Sequence, residues 1–263
     1  MNSRNHAEEK IISRAEYRDA LKKLDPARDD HRIVQLFHEH HPDSATANGI
    51  QIFTQFAVRR ITEKLVAAGG FIEDPGTRLR QTSSYAGTIG RYGYQSEEGK
   101  TVLGGIRATH ERWGVTPAMH RDGLAFVSLT FVHGVDRFLE KFGARPLLPE
   151  ERQGLLHFWN GVAGVLGVED MPTDFSASRQ FYRQFEEDNI GYAETNRQVA
   201  DPVMRVIVDR SHRVVRPFMR MLLCSVMEKN VVEALGFPEV SPFLRSTVLA
   251  AAKARSLLYR IFR

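Results

Sequence analysis

Two stretches of the chain carry residue types that do chemistry. In SLTFVHGVDRF (Ser128 to Phe138), His133 stands in a nearly unbroken apolar run from Leu124 to Val135. A helix apolar on almost every side is a buried helix, and a buried imidazole needs a partner for at least one ring nitrogen. That partner is another side chain, a backbone carbonyl or a metal. In GGIRATHERW, Arg107 and His110 are three apart and so share a helical face, with Glu111 beside them.

Other candidates are weaker. FHEHHPDS gathers His38, Glu39, His40, His41 and Asp43, but it lacks the two histidines four apart, with glutamate beside the first, of a zinc-protease helix. It reads as a polar helix end. GGFIEDPGTR lacks the lysine and spacing of a phosphate-binding loop, and no G-x-S-x-G elbow occurs. The single cysteine, Cys224, excludes an intramolecular disulfide and any site needing several thiolates; its setting MRMLLCSVM suggests a packed thiol.

The elements that must position these residues read as helices throughout. Ile11, Ile12, Ala15, Tyr17 and Leu21 fall near one face of a first helix, followed by HRIVQLFHEHH and a segment from Gly49 to Ala68 that GG and EDPG stop. Further helices are expected over residues 78–92, 100–113, 117–142 and 149–166, after GVEDMPTD, and after Arg216-Pro217. No repeat and no Gly/Ser-rich linker divides the 263 residues. The expected fold is all-α, one compact domain of about ten helices. With 42 % hydrophobic residues it can build a core without staples.

Charge and termini narrow the partners. A net charge of +4 spread along the chain is not the concentrated basic stripe of a nucleic-acid binder. The polar N-terminus does not resemble a signal peptide, and no window approaches the roughly 20 apolar residues of a membrane span. The expected location is the cytoplasm. The last helix sets Lys253, Arg255, Arg260 and Arg263 beside Leu257, Leu258, Ile261 and Phe262; it suits docking on its own domain better than lying on a membrane surface.

Taken in order, the R-x-x-H pair, the apolar helix around His133 and WNGVAGVLGVEDMPTDFSASRQFY form a pattern. With FIEDPGTRLRQTSSYAGTIGRYG upstream and RPFMRMLLCSVMEKNVVEALGFP downstream, the chain resembles the catalytic domain of latex-clearing protein, the bacterial rubber oxygenase, and the MpaB-type oxygenases of fungal secondary metabolism. The resemblance covers residues 48–263 and leaves 1–47 as an N-terminal helical extension on the core. It implies a globin-related helical core enclosing haem b, with His133 on the iron from the proximal side. Arg107 would be distal, with His110 where rubber oxygenases carry a lysine and Glu111 where they carry a threonine. Arg78 or Arg91 would meet the haem propionates.

The implied activity is oxygenation of a small or apolar organic substrate by dioxygen, with an electron donor where the reaction needs one. Missing the export signal of the secreted rubber-degrading enzymes, the chain is expected to act on a metabolite and not on polymeric rubber. Two other classes stay open: a non-catalytic haem protein that senses, carries or transfers electrons, and a cofactor-free helical binding protein.

Overall fold

In a computed structural model, which describes residues 14–262, the chain is all-α. Short helices come first: α1 (Arg14–Lys22), α2 (Asp30–His40), α3 (Ser44–Gly49), α4 (Gln51–Phe56), α5 (Arg59–Ala68) and α6 (Gly70–Glu73). Longer ones follow: α7 (Pro75–Tyr92), α8 (Glu97–Arg112), α9 (Pro117–Leu129), α10 (Val135–Phe142), α11 (Pro149–Val165), α12 (Phe175–Asn189) and α13 (Glu194–Asp209). The chain closes with α14 (Arg216–Val226), α15 (Lys229–Ala234) and α16 (Pro242–Phe262). Ile11, Ile12 and Arg263, placed on helices by the sequence, lie outside the described residues, as does the side chain of Arg260.

Local chemistry sets many boundaries. Proline opens α7, α9 and α11, where its missing N–H costs nothing. Asp74, Ser96 and Asp174 cap α7, α8 and α12 by accepting the backbone N–H of Thr77, Gly99 and Ala177. Gly69 and Gly93 end α5 and α7 at φ 76° and 85°, a region that suits glycine.

Two departures from the expected helices have tertiary causes. The segment 49–68 is broken at Val58, which is extended and bridges to Ile190. Buried Asn196 on α13 stitches the break: its Nδ2 donates to the carbonyls of Ala57, Gly191 and Ala234, and its Oδ1 accepts from Thr62 Oγ1. The expected helix over 117–142 instead runs α9, a π-helical turn (Thr130–Gly134), then α10, with a non-helical residue at His120. A π turn adds a residue to the helical circuit and re-aims the side chains beyond it. His133 lies in that turn.

The core forms where these helices cross. α2 lies along α11, and α13 along α5, α6 and α7. Gly154 lets α11 approach: a Cβ there would sit 2.5 Å from Ile33 Cγ2. Phe37, Phe53, Phe56, Phe158, Val203 and Met204 fill the main core, and Phe126, Leu129, Val132, Leu156 and Tyr182 fill a second cluster around α9. α16 is docked: Arg255 forms a two-pronged pair with Asp43 at 2.7 and 3.0 Å, and Ser256 donates to the Ala144 carbonyl.

Candidate functional site

A pocket of about 190 Å³ opens between α4, α5, α7, the end of α8 and α9. Each element presents one helical stripe to it. α9 offers His120, Gly123, Leu124 and Val127, spaced i, i+3, i+4, i+7; α5 offers Arg60, Ile61, Lys64 and Leu65; α7 offers Arg78 and Thr82, four apart. Phe56, Phe71, Trp113 and Val115 complete walls that are mainly apolar. The enclosed space is smaller than the roughly 300–1,000 Å³ typical of small-molecule and cofactor sites, and the groove is open on one side.

Beside the neutral Gln55 and Thr82, the ionisable groups in this pocket are all basic. Arg60, Lys64, Arg78, His110 and His120 line it, and no carboxylate does among the described residues. Arg78 is half-buried and held by aromatic faces, its guanidinium 5.3 Å from the Phe71 ring centre and 5.6 Å from that of Trp113. Burial lowers its pKa from the usual arginine range. Arg60 lies 4.6 Å over Phe185, while its neighbour Arg59 takes the nearby Glu63 at 2.8 Å. Burial, then the Arg78 charge, pushes the His110 pKa down, so its ring is neutral at neutral pH. The Nδ1 of His120 is buried and has no hydrogen-bond partner.

His133 occupies a different setting. It is buried, with Nε2 2.9 Å from Ser178 Oγ on α12 and the ring packed on Phe175 and Tyr182. Ser178 donates its own proton to the Phe175 carbonyl at 3.1 Å. His133 Nε2 is then the donor, and its Nδ1 is a buried lone pair with no hydrogen-bond partner among the described residues. Burial first, then Arg179, Arg137 and Arg183, depress the His133 pKa to about 3. Ion pairs close this region. Buried Asp136 takes Arg152 at 2.8 Å and Arg179 at 2.7 Å, and Arg137 makes a two-pronged pair with Glu186 at 2.8 and 2.6 Å. The ring is not part of the pocket wall.

Residues 37–257 match the catalytic-domain family of the ER-bound oxygenases mpaB/B' and rubber oxygenase. The chain belongs to that family. It is therefore an oxygenase-type catalytic domain, as the ordered motifs of the sequence indicated. No curated protein matches the chain.

Of the residues that the family resemblance singled out, the fold brings His110 and Arg78 to the pocket and leaves four elsewhere, His133 among them. Arg107 and Glu111 are both exposed and pair with each other at 3.2 Å along α8, outside the pocket lining. Arg91 is exposed and lies over Tyr92. Sequence reasoning missed Arg60, Lys64 and His120. In PAMHRDG, His120 has the look of an ordinary polar helix start, and only the packing of α9 turns it inward. The polar cluster of FHEHHPDS is absorbed by the fold: His41 Nε2 meets the Arg145 carbonyl at 3.0 Å, and Asp43 holds Arg255 and the Ala144 N–H. No group of three or more His, Cys, Asp or Glu able to hold a metal occurs among the described residues.

The residues present fit a haem. An apolar macrocycle needs dry walls, its carboxylates need cations, and its iron needs one neutral imidazole. The pocket presents apolar walls, three cations without carboxylate partners, and two imidazoles, one with a buried unbonded nitrogen.

Proposed function

We propose that this protein is a haem b-dependent oxygenase that uses dioxygen on a small or apolar organic substrate, with the pocket between α5, α7, α8 and α9 as its site. The observation that carries the reading is a mainly apolar pocket whose ionisable lining is cationic or imidazole, with no carboxylate among the described residues. Haem, when bound, supplies the iron chemistry that activates dioxygen. Arg78, with Lys64 and Arg60 toward solvent, would take up the propionate charge. Phe56, Phe71, Leu124 and Val127 would exclude water and offer the apolar surface that a substrate shares with the macrocycle. His110, neutral because burial and Arg78 disfavour its charged form, can accept and return a proton inside the pocket.

Three imidazoles are candidates to hold the iron: His133, His120 and His110. The resemblance assigns His133, and its bare Nδ1 lone pair supports that assignment. His120 is favoured by position, because its unbonded Nδ1 belongs to a ring on the pocket wall. We infer that a pocket imidazole, His120 or His110, holds the iron. With both rings on the wall, the same pocket also suits a six-coordinate iron that transfers electrons.

The test is the visible spectrum of the purified protein with haem quantified per chain, followed by oxygen uptake with apolar olefins. The expected result is a Soret band and olefin-dependent oxygen consumption. A protein that takes up no haem even when hemin is added would overturn the reading. Haem with no substrate-dependent oxygen uptake would favour the electron-transfer role.

A further inference from the structure

The surface around the start of α14 combines exposed arginines with exposed apolar side chains. From Pro202 to Met227 the chain has five arginines and one carboxylate, Asp209. Asp209 is taken by Arg216 at 2.9 Å, and Arg220 is taken by Asp201 at 2.7 Å. Arg205, Arg210 and Arg213 are left exposed, with no carboxylate partner among the described residues. Between these charges the chain displays large apolar side chains. Val214 is 80 % exposed and Phe218 56 %, with Val215 and Met221 also exposed.

The apolar residues are clustered by geometry. Arg213–Val215 forms a short 3₁₀ turn that runs directly into α14, opened by Pro217. Phe218 and Met221, three apart on α14, share one side, and Val214 and Val215 lie in the turn just before it. Scattered single apolar residues on a surface are ordinary, but a cluster rimmed by polar groups marks an interaction site.

We propose that this face docks on an anionic lipid surface. Val214, Val215, Phe218 and Met221 enter the boundary between headgroups and acyl chains, and Arg210 and Arg213 meet the lipid phosphates. Apolar burial and attraction to negative lipid are the two contributions that hold such segments in the interface, and each arginine near a negative leaflet adds about 1 kcal/mol. The charge balance selects this occupant: a protein partner's apolar face gives three unpaired arginines no anion, whereas a phosphatidylserine-bearing surface does. None of the described helices is long and apolar enough to cross a membrane, so attachment would be peripheral. The proposal does not depend on haem.

The test is co-sedimentation of the full chain with vesicles of phosphatidylcholine alone or with phosphatidylserine added, at low and high salt. The expected result is at least roughly tenfold tighter association with the serine-lipid vesicles, reversed by salt. Phe218→Asp should abolish it, and Arg210→Gln with Arg213→Gln should reduce it roughly tenfold or more, with unchanged circular dichroism in both variants. Equal binding to the two vesicle types, no binding, or binding unaltered in either variant would overturn the proposal. So would a dimer in solution that Phe218→Asp dissociates, because the face would then be occupied by a second copy.

Discussion

His120 and His133 each bury an Nδ1 without a hydrogen-bond partner among the described residues, yet their surroundings differ. His133 sits in a π turn, clamped to α12 through Ser178 and enclosed by Asp136, Arg137, Arg152, Arg179 and Glu186, which satisfy one another. His120 sits at a kink near the start of α9, on a wall whose cations have no carboxylates. Charges that neutralise each other build a strut. Charges left over around an apolar space build a receptor. Sequence draws notice to His133 and not to His120, because a histidine in an apolar run stands out and one in PAMHRDG does not.

If the His133 region is a strut, breaking it should cost stability. Asp136→Ala removes the buried carboxylate that Arg152 of α11 and Arg179 of α12 share, and is expected to cost about 1.5–3 kcal/mol in urea unfolding. A loss below 1 kcal/mol would show that the ion pairs are ornamental. The same region should give the protein a pH dependence. The folded-state pKa of His133, about 3, lies below the ordinary 6.5 of the unfolded chain. Between those values the unfolded state takes a proton that the folded state refuses. Stability is therefore lost as pH falls from 6.5 toward 3, by up to about 1.4 kcal/mol per pH unit from this ring. His133→Gln should flatten that slope by the same amount relative to the parent, and an unchanged slope would refute the assignment.

The pocket should behave oppositely. His120→Ala removes a ring whose Nδ1 has no partner to lose, so unfolding stability should shift by no more than about 0.5 kcal/mol. A loss of several kcal/mol would make His120 part of the strut. Smallest of all is Arg107→Ala, which removes an exposed pair with Glu111 at 3.2 Å and is expected to cost about 0.3–0.5 kcal/mol, measured by thermal melting. A larger loss would give Arg107 a role that the surface pair does not explain.

The sequence made the helical fold legible because its markers are local: proline at the start of α7, α9 and α11, a capping Asp or Ser, and glycine at the ends of α5 and α7. It also showed that His133 is buried. What it hid is tertiary. The break at Val58 depends on an asparagine 138 positions later, and the π turn re-aims His133 toward α12. The pocket draws single stripes from helices far apart in the chain. Arg60 and Arg59 are indistinguishable as letters, and only the position of Glu63 separates a paired cation from a free one.

The most direct measurement is a hemin titration of the parent, His110→Ala, His120→Ala and His133→Ala proteins, each shown to be folded, reading the Soret band in both oxidation states. The account predicts that His133→Ala, though less stable, still takes haem with the parent spectrum, while His120→Ala or His110→Ala loses or shifts the band. Loss of the band in His133→Ala alone, with both pocket variants unchanged, would contradict it and put the iron on His133.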